Sequence, residues 1–92
     1  MEAVVKLLVK KNQTEYQATE VIAKKNPVGR DEFNAAGQRG LHPSFMVEVW
    51  DFEYTGQTQI EVDGNIYTIY RTYGPKANGK MELYAAERTG KG

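Results

Sequence analysis

The chain contains no cysteine, one histidine, one tryptophan and three prolines, and no uninterrupted apolar run long enough to cross a bilayer. Without cysteine there is no disulfide framework and no thiolate metal site, which fits synthesis in a reducing compartment. The most apolar stretch, Ala3-Val4-Val5-Lys6-Leu7-Leu8-Val9, is too short and too soon broken by Lys6 for a membrane span or a signal core, so a soluble product, intracellular when made, is expected. A surplus of charge is missing too. Twelve Lys and Arg balance twelve Asp and Glu, so the overall field offers no footprint for nucleic acid or an anionic membrane. At 92 residues the chain makes one domain, 1–92, with a small core, stable with little margin or stabilised by association.

What is present in quantity is β-favouring sequence. Asp63-Gly64 sits between two such runs, and a two-residue turn of type I′ requires positive φ at both central positions, which these residues tolerate. The strand leaving the turn, Asn65–Tyr73, holds three tyrosines, two isoleucines and two threonines. Alternation places Tyr67, Ile69 and Tyr73 on one face, with Ile66 and Tyr70 on the other. Apolar groups on both faces predict a strand covered on both sides, within the domain or at a subunit contact.

In chain order, Ala3–Lys10 alternates with lysines on one face and reads as a half-buried strand near a sheet edge. A polar turn over 11–15 leads to a second strand, Tyr16–Lys24, ended by Asn26-Pro27-Val28-Gly29. Arg30–Gly40 is the one helix candidate: Asp31 can cap, Glu32 suits the first turn, Phe33 and Ala36 share a face, and Gly37 or Gly40 can close it. So short a helix must dock or stay mobile, because nucleation is costly. Gly37–Pro43 reads as a flexible connection. Ser44–Tyr54 reads as the longest strand, with its apolar phase switching from Phe45, Val47 and Val49 to Trp50, Phe52 and Tyr54; a bulge near Val49–Trp50 is the expected cause. Thr58–Val62 and Lys80–Arg88 complete six strands, with a Gly74–Gly79 loop before the last. The expected fold is mainly β: a small six-stranded antiparallel β-barrel or sandwich with one short helix in a long loop between strands 2 and 3.

Catalytic chemistry finds little support. His42 is a lone histidine beside Pro43; Ser44 is close in sequence, yet there is no G-x-S-x-G elbow and no orienting partner, so a solvated side chain is the better reading. Asp51 and Glu53 share a strand face as solvated carboxylates rather than an acid–base or metal pair. The glycines at 29, 37, 40 and 56 form neither G-x-G-x-x-G nor a P-loop. No enzyme, cofactor or metal is expected. The aromatics Trp50, Phe52, Tyr54, Tyr67, Tyr70, Tyr73 and Tyr84 allow a base-stacking platform of OB type. Such platforms interleave basic residues, whereas Asp51, Glu53, Glu61 and Asp63 surround these positions, with Arg71 the main exception. Packing or a protein–protein contact is favoured.

The run Asp31-Glu32-Phe33-x-x-Ala36-Gly37-Gln38-x-Gly40-Leu41, followed by Phe45-x-Val47-x-Val49-Trp50-x-Phe52-x-Tyr54-x-Gly56, resembles the head–tail joining (head closure) proteins of long-tailed bacteriophages and related prophages. So does the continuation Val62-x-Gly64-x-x-Tyr67-x-Ile69-Tyr70-Arg71-Thr72-Tyr73, then Met81-Glu82-Leu83-Tyr84 and Glu87-Arg88. The likeness covers roughly residues 20 to 88, and the first two strands match in pattern only. It implies a β-barrel-like subunit assembling as a ring, six- or twelve-fold, beneath the portal and its adaptor. That ring would dock a tail-completion or tail-tube protein and retain packaged DNA, which passes without sequence-specific binding. The expected location is the virion, after synthesis in the host bacterial cytoplasm, with no membrane partner. By position, the Pro27–Pro43 segment would be the channel plug, with Phe33, Gly37, Gln38, Arg39, Gly40, Leu41 and His42 as its residues. Trp50, Tyr67, Tyr70, Arg71 and Tyr73 are the expected subunit contact. The alternatives are a nucleic-acid-binding barrel of OB or SH3-like type and a neighbouring tail-completion protein.

Overall fold

The computed structural model describes residues 2–37 and 41–88. Six strands, β1 (Glu2–Lys10), β2 (Tyr16–Asn26), β3 (Leu41–Trp50), β4 (Gln59–Val62), β5 (Asn65–Tyr73) and β6 (Lys80–Arg88), pair antiparallel in the order β1-β2-β3-β6-β5-β4. β4 pairs back onto β1 through Lys6↔Glu61 and Leu8↔Gln59, which closes the barrel. One helix, α1 (Arg30–Gly37), lies between β2 and β3. The expected fold class is the observed one.

Local chemistry accounts for the hairpins. In the β1–β2 turn the Asn12 side chain accepts from the backbone N–H groups of Thr14 (2.9 Å) and Glu15 (3.0 Å), while Lys11 N–H donates to the Glu15 carbonyl at 2.9 Å. Asp63 and Gly64 take φ of 54° and 81°, as the I′ turn requires. Alternation then fills the interior. Val5 and Leu7 from β1, Val21 and Ala23 from β2, Phe45, Val47 and Val49 from β3, Ile60 and Val62 from β4, and Leu83 and Ala85 from β6 form one buried cluster. β5 contributes Tyr67 and Ile69 at its border.

Three expectations are corrected. The Ser44–Tyr54 strand stops at Trp50, because Asp51–Glu53 forms a 3-10 turn in which Trp50 N–H donates to Glu53 Oε1 at 3.0 Å and Tyr54 N–H to the Asp51 carbonyl at 3.3 Å. The phase switch is therefore the chain leaving the sheet, which puts Phe52 in solvent. The bulge in this strand lies earlier, between Pro43 and Phe45, where Ser44 is the extra residue. Second, the supposed flexible connection is partly strand: Leu41, His42 and Pro43 pair with Arg88, Glu87 and Ala86.

Third, the alternation of β5 does not run unbroken along the strand. A bulge between Ile69 and Arg71 reverses its alternation, so that Thr72 stands opposite Leu83 while Arg71 and Tyr73 stand opposite Tyr84 and Glu82. Tyr73 therefore leaves the face of Tyr67 and Ile69. Within this chain, outward Ile66 and Tyr73 remain 55% and 57% exposed. Smaller shifts of boundary are ordinary: β2 runs on to Asn26, β4 begins at Gln59, and the helix is described to Gly37.

Candidate assembly surface

The outer wall of β3, β6 and β5 carries the densest polar chemistry in the described chain. Glu48 and Glu82 are direct cross-strand partners on that wall, a like-charge pairing that alone is repulsive. Lys76, from the β5–β6 loop, resolves it by bonding Glu48 and, at 3.0 Å, Glu82. The second Glu82 oxygen accepts from the Tyr84 hydroxyl at 2.7 Å. The Arg71 guanidinium lies 4.1 Å over the Tyr84 ring and donates to both Glu32 oxygens, at 2.7 Å from one η nitrogen and 3.3 Å from Nε. Glu32 also accepts from the Tyr70 hydroxyl at 2.6 Å.

Glu32 belongs to α1, so this carboxylate ties the helix to β5. α1 packs on β3, and β6 lies between β3 and β5, so the helix crosses the outer wall. Pro43 and Ala86, paired on that wall, are both buried there. Of the two outcomes open to so short a helix, it docks. With Arg71 40% exposed on its side chain, its ion pair with Glu32 contributes about 1 kcal/mol or less. The Tyr70 bond to a charged acceptor adds roughly as much again.

The electrostatics follow from these contacts. Burial, then the Glu32 carboxylate, pushes the Tyr70 phenol well above its ordinary value; burial and Glu82 raise Tyr84, and burial raises Tyr54. Burial works against the Glu82 carboxylate, but the Tyr84 hydroxyl and Lys76 together outweigh it and hold Glu82 below the usual range. Lys76 is raised by its bonds to Glu48 and Glu82. The raised phenols contribute stability that is fully present below about pH 10 and is lost as pH climbs through their folded values. Glu82 contributes stability that is present above about pH 4.5 and fades as pH falls through its lowered value. Urea unfolding should therefore show a flat midpoint between these limits and a decline above pH 10. Tyr70→Phe should shallow that decline; an unchanged alkaline slope in the variant would contradict the assignment.

No protein-family model matches the chain, and neither does any curated protein sequence.

The candidate residues divide among distinct surroundings. Of the expected plug residues, Gly37 ends α1, Phe33 lies within α1, and Leu41 and His42 are in β3 rather than in a loop, with His42 exposed opposite Glu87. Gln38, Arg39 and Gly40 lie outside the described residues. Of the expected contact residues, Tyr67 turns inward and meets Phe45 edge-on at 4.8 Å, so it serves the barrel interior. Tyr70 and Arg71 are engaged by Glu32. Trp50 and Tyr73 stay 44% and 57% exposed. Trp50 stacks with Phe52 at 6.2 Å and carries the Lys80 ammonium 4.4 Å over its ring.

Sequence reasoning missed Glu32 as an anchor and Lys76, Glu48 and Glu82 as a cluster. The only signal was Glu48 and Glu82 on alternating strands, and their adjacency needs the β3–β6 register. Among the described residues, no group of three or more histidine or acidic side chains is placed to hold a metal ion, and no helix is long and apolar enough to cross a membrane.

Proposed function

We propose that this chain is a structural subunit of a bacteriophage head–tail connector, forming a ring below the portal-side adaptor that closes the DNA-filled head and receives the tail. The observation that carries this reading is the insertion between β2 and β3. Its eight-residue helix is strapped across the barrel wall by Glu32, and the segment leads into residues 38–40 before β3 begins. A small barrel with a helical insertion laid on its wall suits a part that packs laterally against copies of itself. The ordered sequence likeness over residues 20 to 88 supports the same assignment.

The chemistry is assembly rather than turnover. Ring subunits pack heterologously, one patch against a different one, with rotation closing the circle. Exposed Trp50, Phe52 and Tyr73 supply rigid apolar area on the barrel exterior. Formal neutrality suits a channel component that lets DNA pass, since each cation on a phosphate adds affinity.

Electron microscopy of particles made without this product tests the proposal. Full heads that lack tails and lose DNA are expected. Tailed, DNA-retaining particles in its absence would refute it.

A further inference from the structure

Closure of the barrel is incomplete on one seam. β2 pairs with β1 along Tyr16–Lys24, but with β3 only through Lys24, Lys25 and Asn26. On its β3 side, Tyr16–Ala23 has no strand partner among the described residues. The Lys11 N–H to Glu15 carbonyl bond makes the odd positions of β2 face β1. Tyr16, Ala18, Glu20 and Ile22 thus turn their N–H and C=O groups to the open side. Edge strands are usually guarded by lysine, proline or a bulge. Here the eight residues Tyr16–Ala23 contain no lysine and no proline, and their register with β1 runs without a break.

We infer that this edge takes a second copy of the same chain, β2 against β2 about a two-fold axis at Thr19. The occupant follows from the register. Antiparallel pairing must set even positions opposite even ones, and centring on Glu20 opposes two carboxylates, while centring on Ala18 shortens the ladder. Centring on Thr19 pairs Tyr16 with Ile22, Ala18 with Glu20, Gln17 with Val21, and Thr19 with itself. Aromatic against β-branched and threonine against threonine are favourable cross-strand pairs. Tyr16 and Ile22 are 50% and 67% exposed in the single chain, and Ile22 already has exposed Val4 opposite it on β1. The partner's Tyr16 completes that apolar row. Glu20 keeps Lys6 opposite it on β1. A ladder this short falls below the roughly 1,600 Å² of a standard interface, so a dimer that dissociates at micromolar concentration is expected. The contact is separate from the β3–β5 wall, and its failure would leave the connector proposal standing.

Because the chain has no cysteine, the register can be read by crosslinking. Non-hydrogen-bonded partners stand about 4.5 Å apart at Cα, within disulfide reach. Thr19→Cys should oxidise to a covalent dimer in proportion to the dimer seen by sedimentation. Gln17→Cys, offset by four positions from its own copy, should not. Ala18→Pro, which removes an outward N–H while leaving the β1 ladder intact, should shift the wild-type dimer to monomer with unchanged circular dichroism. A wild-type chain that stays monomeric to about 1 mM overturns the inference. So does equal crosslinking of the two cysteine variants, or an Ala18→Pro variant that is folded and as dimeric as wild type.

Discussion

Leu83→Ala should lower the unfolding free energy by about 3 kcal/mol, within the range of roughly 2–5 kcal/mol for a buried leucine cut to alanine. Leu83 is fully buried on the central strand of the β3–β6–β5 wall, facing Val47 across one seam and Thr72 across the other. Its strand is paired on both edges, with β3 and with β5, so the wall cannot collapse onto the vacated volume without breaking register. A domain of this size has only about 5–10 kcal/mol in total, so the loss is a large fraction. With a urea slope of about 1 kcal/mol/M, the midpoint should fall by roughly 3 M, which leaves the variant marginal in buffer. A midpoint within about 0.5 M of wild type would show that the barrel interior is not packed as described.

Gly74→Ala should cost nearly as much, about 2–4 kcal/mol, for two reasons that add. Gly74 has φ of 127°, a conformation that L side chains rarely adopt. A Cβ there would also lie 3.0 Å from the Lys80 carbonyl oxygen and 3.2 Å from Lys76 N and Met81 Cα, all of them backbone. Nothing flexible can yield. The strain falls on the loop that carries Lys76, whose N–H donates to the Lys80 carbonyl at 2.8 Å, so the cation between Glu48 and Glu82 should be displaced as well. Gly56→Ala is the comparison. There φ is 95° with open space around the added carbon, and a backbone cost of about 1–2 kcal/mol is expected. Thermal unfolding of the two variants side by side measures the difference. If Gly74→Ala is no worse than Gly56→Ala, the close approach of the β5–β6 loop to β6 is wrong.

Several features of the barrel could be read from the sequence because their causes are local. The Asp63-Gly64 turn depends on the φ preferences of two adjacent residues. The inward set of β1 depends on a period-two pattern with lysines opposite, and the marginal helix on the length and capping of one segment. The Trp50–Tyr54 region could not be read in the same way. A strand that alternates and a 3-10 turn that throws Phe52 into solvent present the same sequence, and what separates them is the Asp51 N–H bond to the Gly79 carbonyl at 2.9 Å, 28 positions away. Tyr73 was assigned to the wrong face because a single bulged residue, Tyr70, reverses everything after it, and the bulge is a property of the β5–β6 pairing rather than of β5.

The amino-acid order by itself determined that this would be a small antiparallel β domain with one short helix between its second and third strands, since strand periodicity, turn chemistry and helix length act over a few residues at a time. Tertiary structure alone decided which strands close the ring and which seam stays half open. It alone brought Glu32, Arg71, Tyr84, Glu82, Lys76 and Glu48 onto one wall. Those contacts join residues up to 39 positions apart, and only a folded register can place them within hydrogen-bond reach.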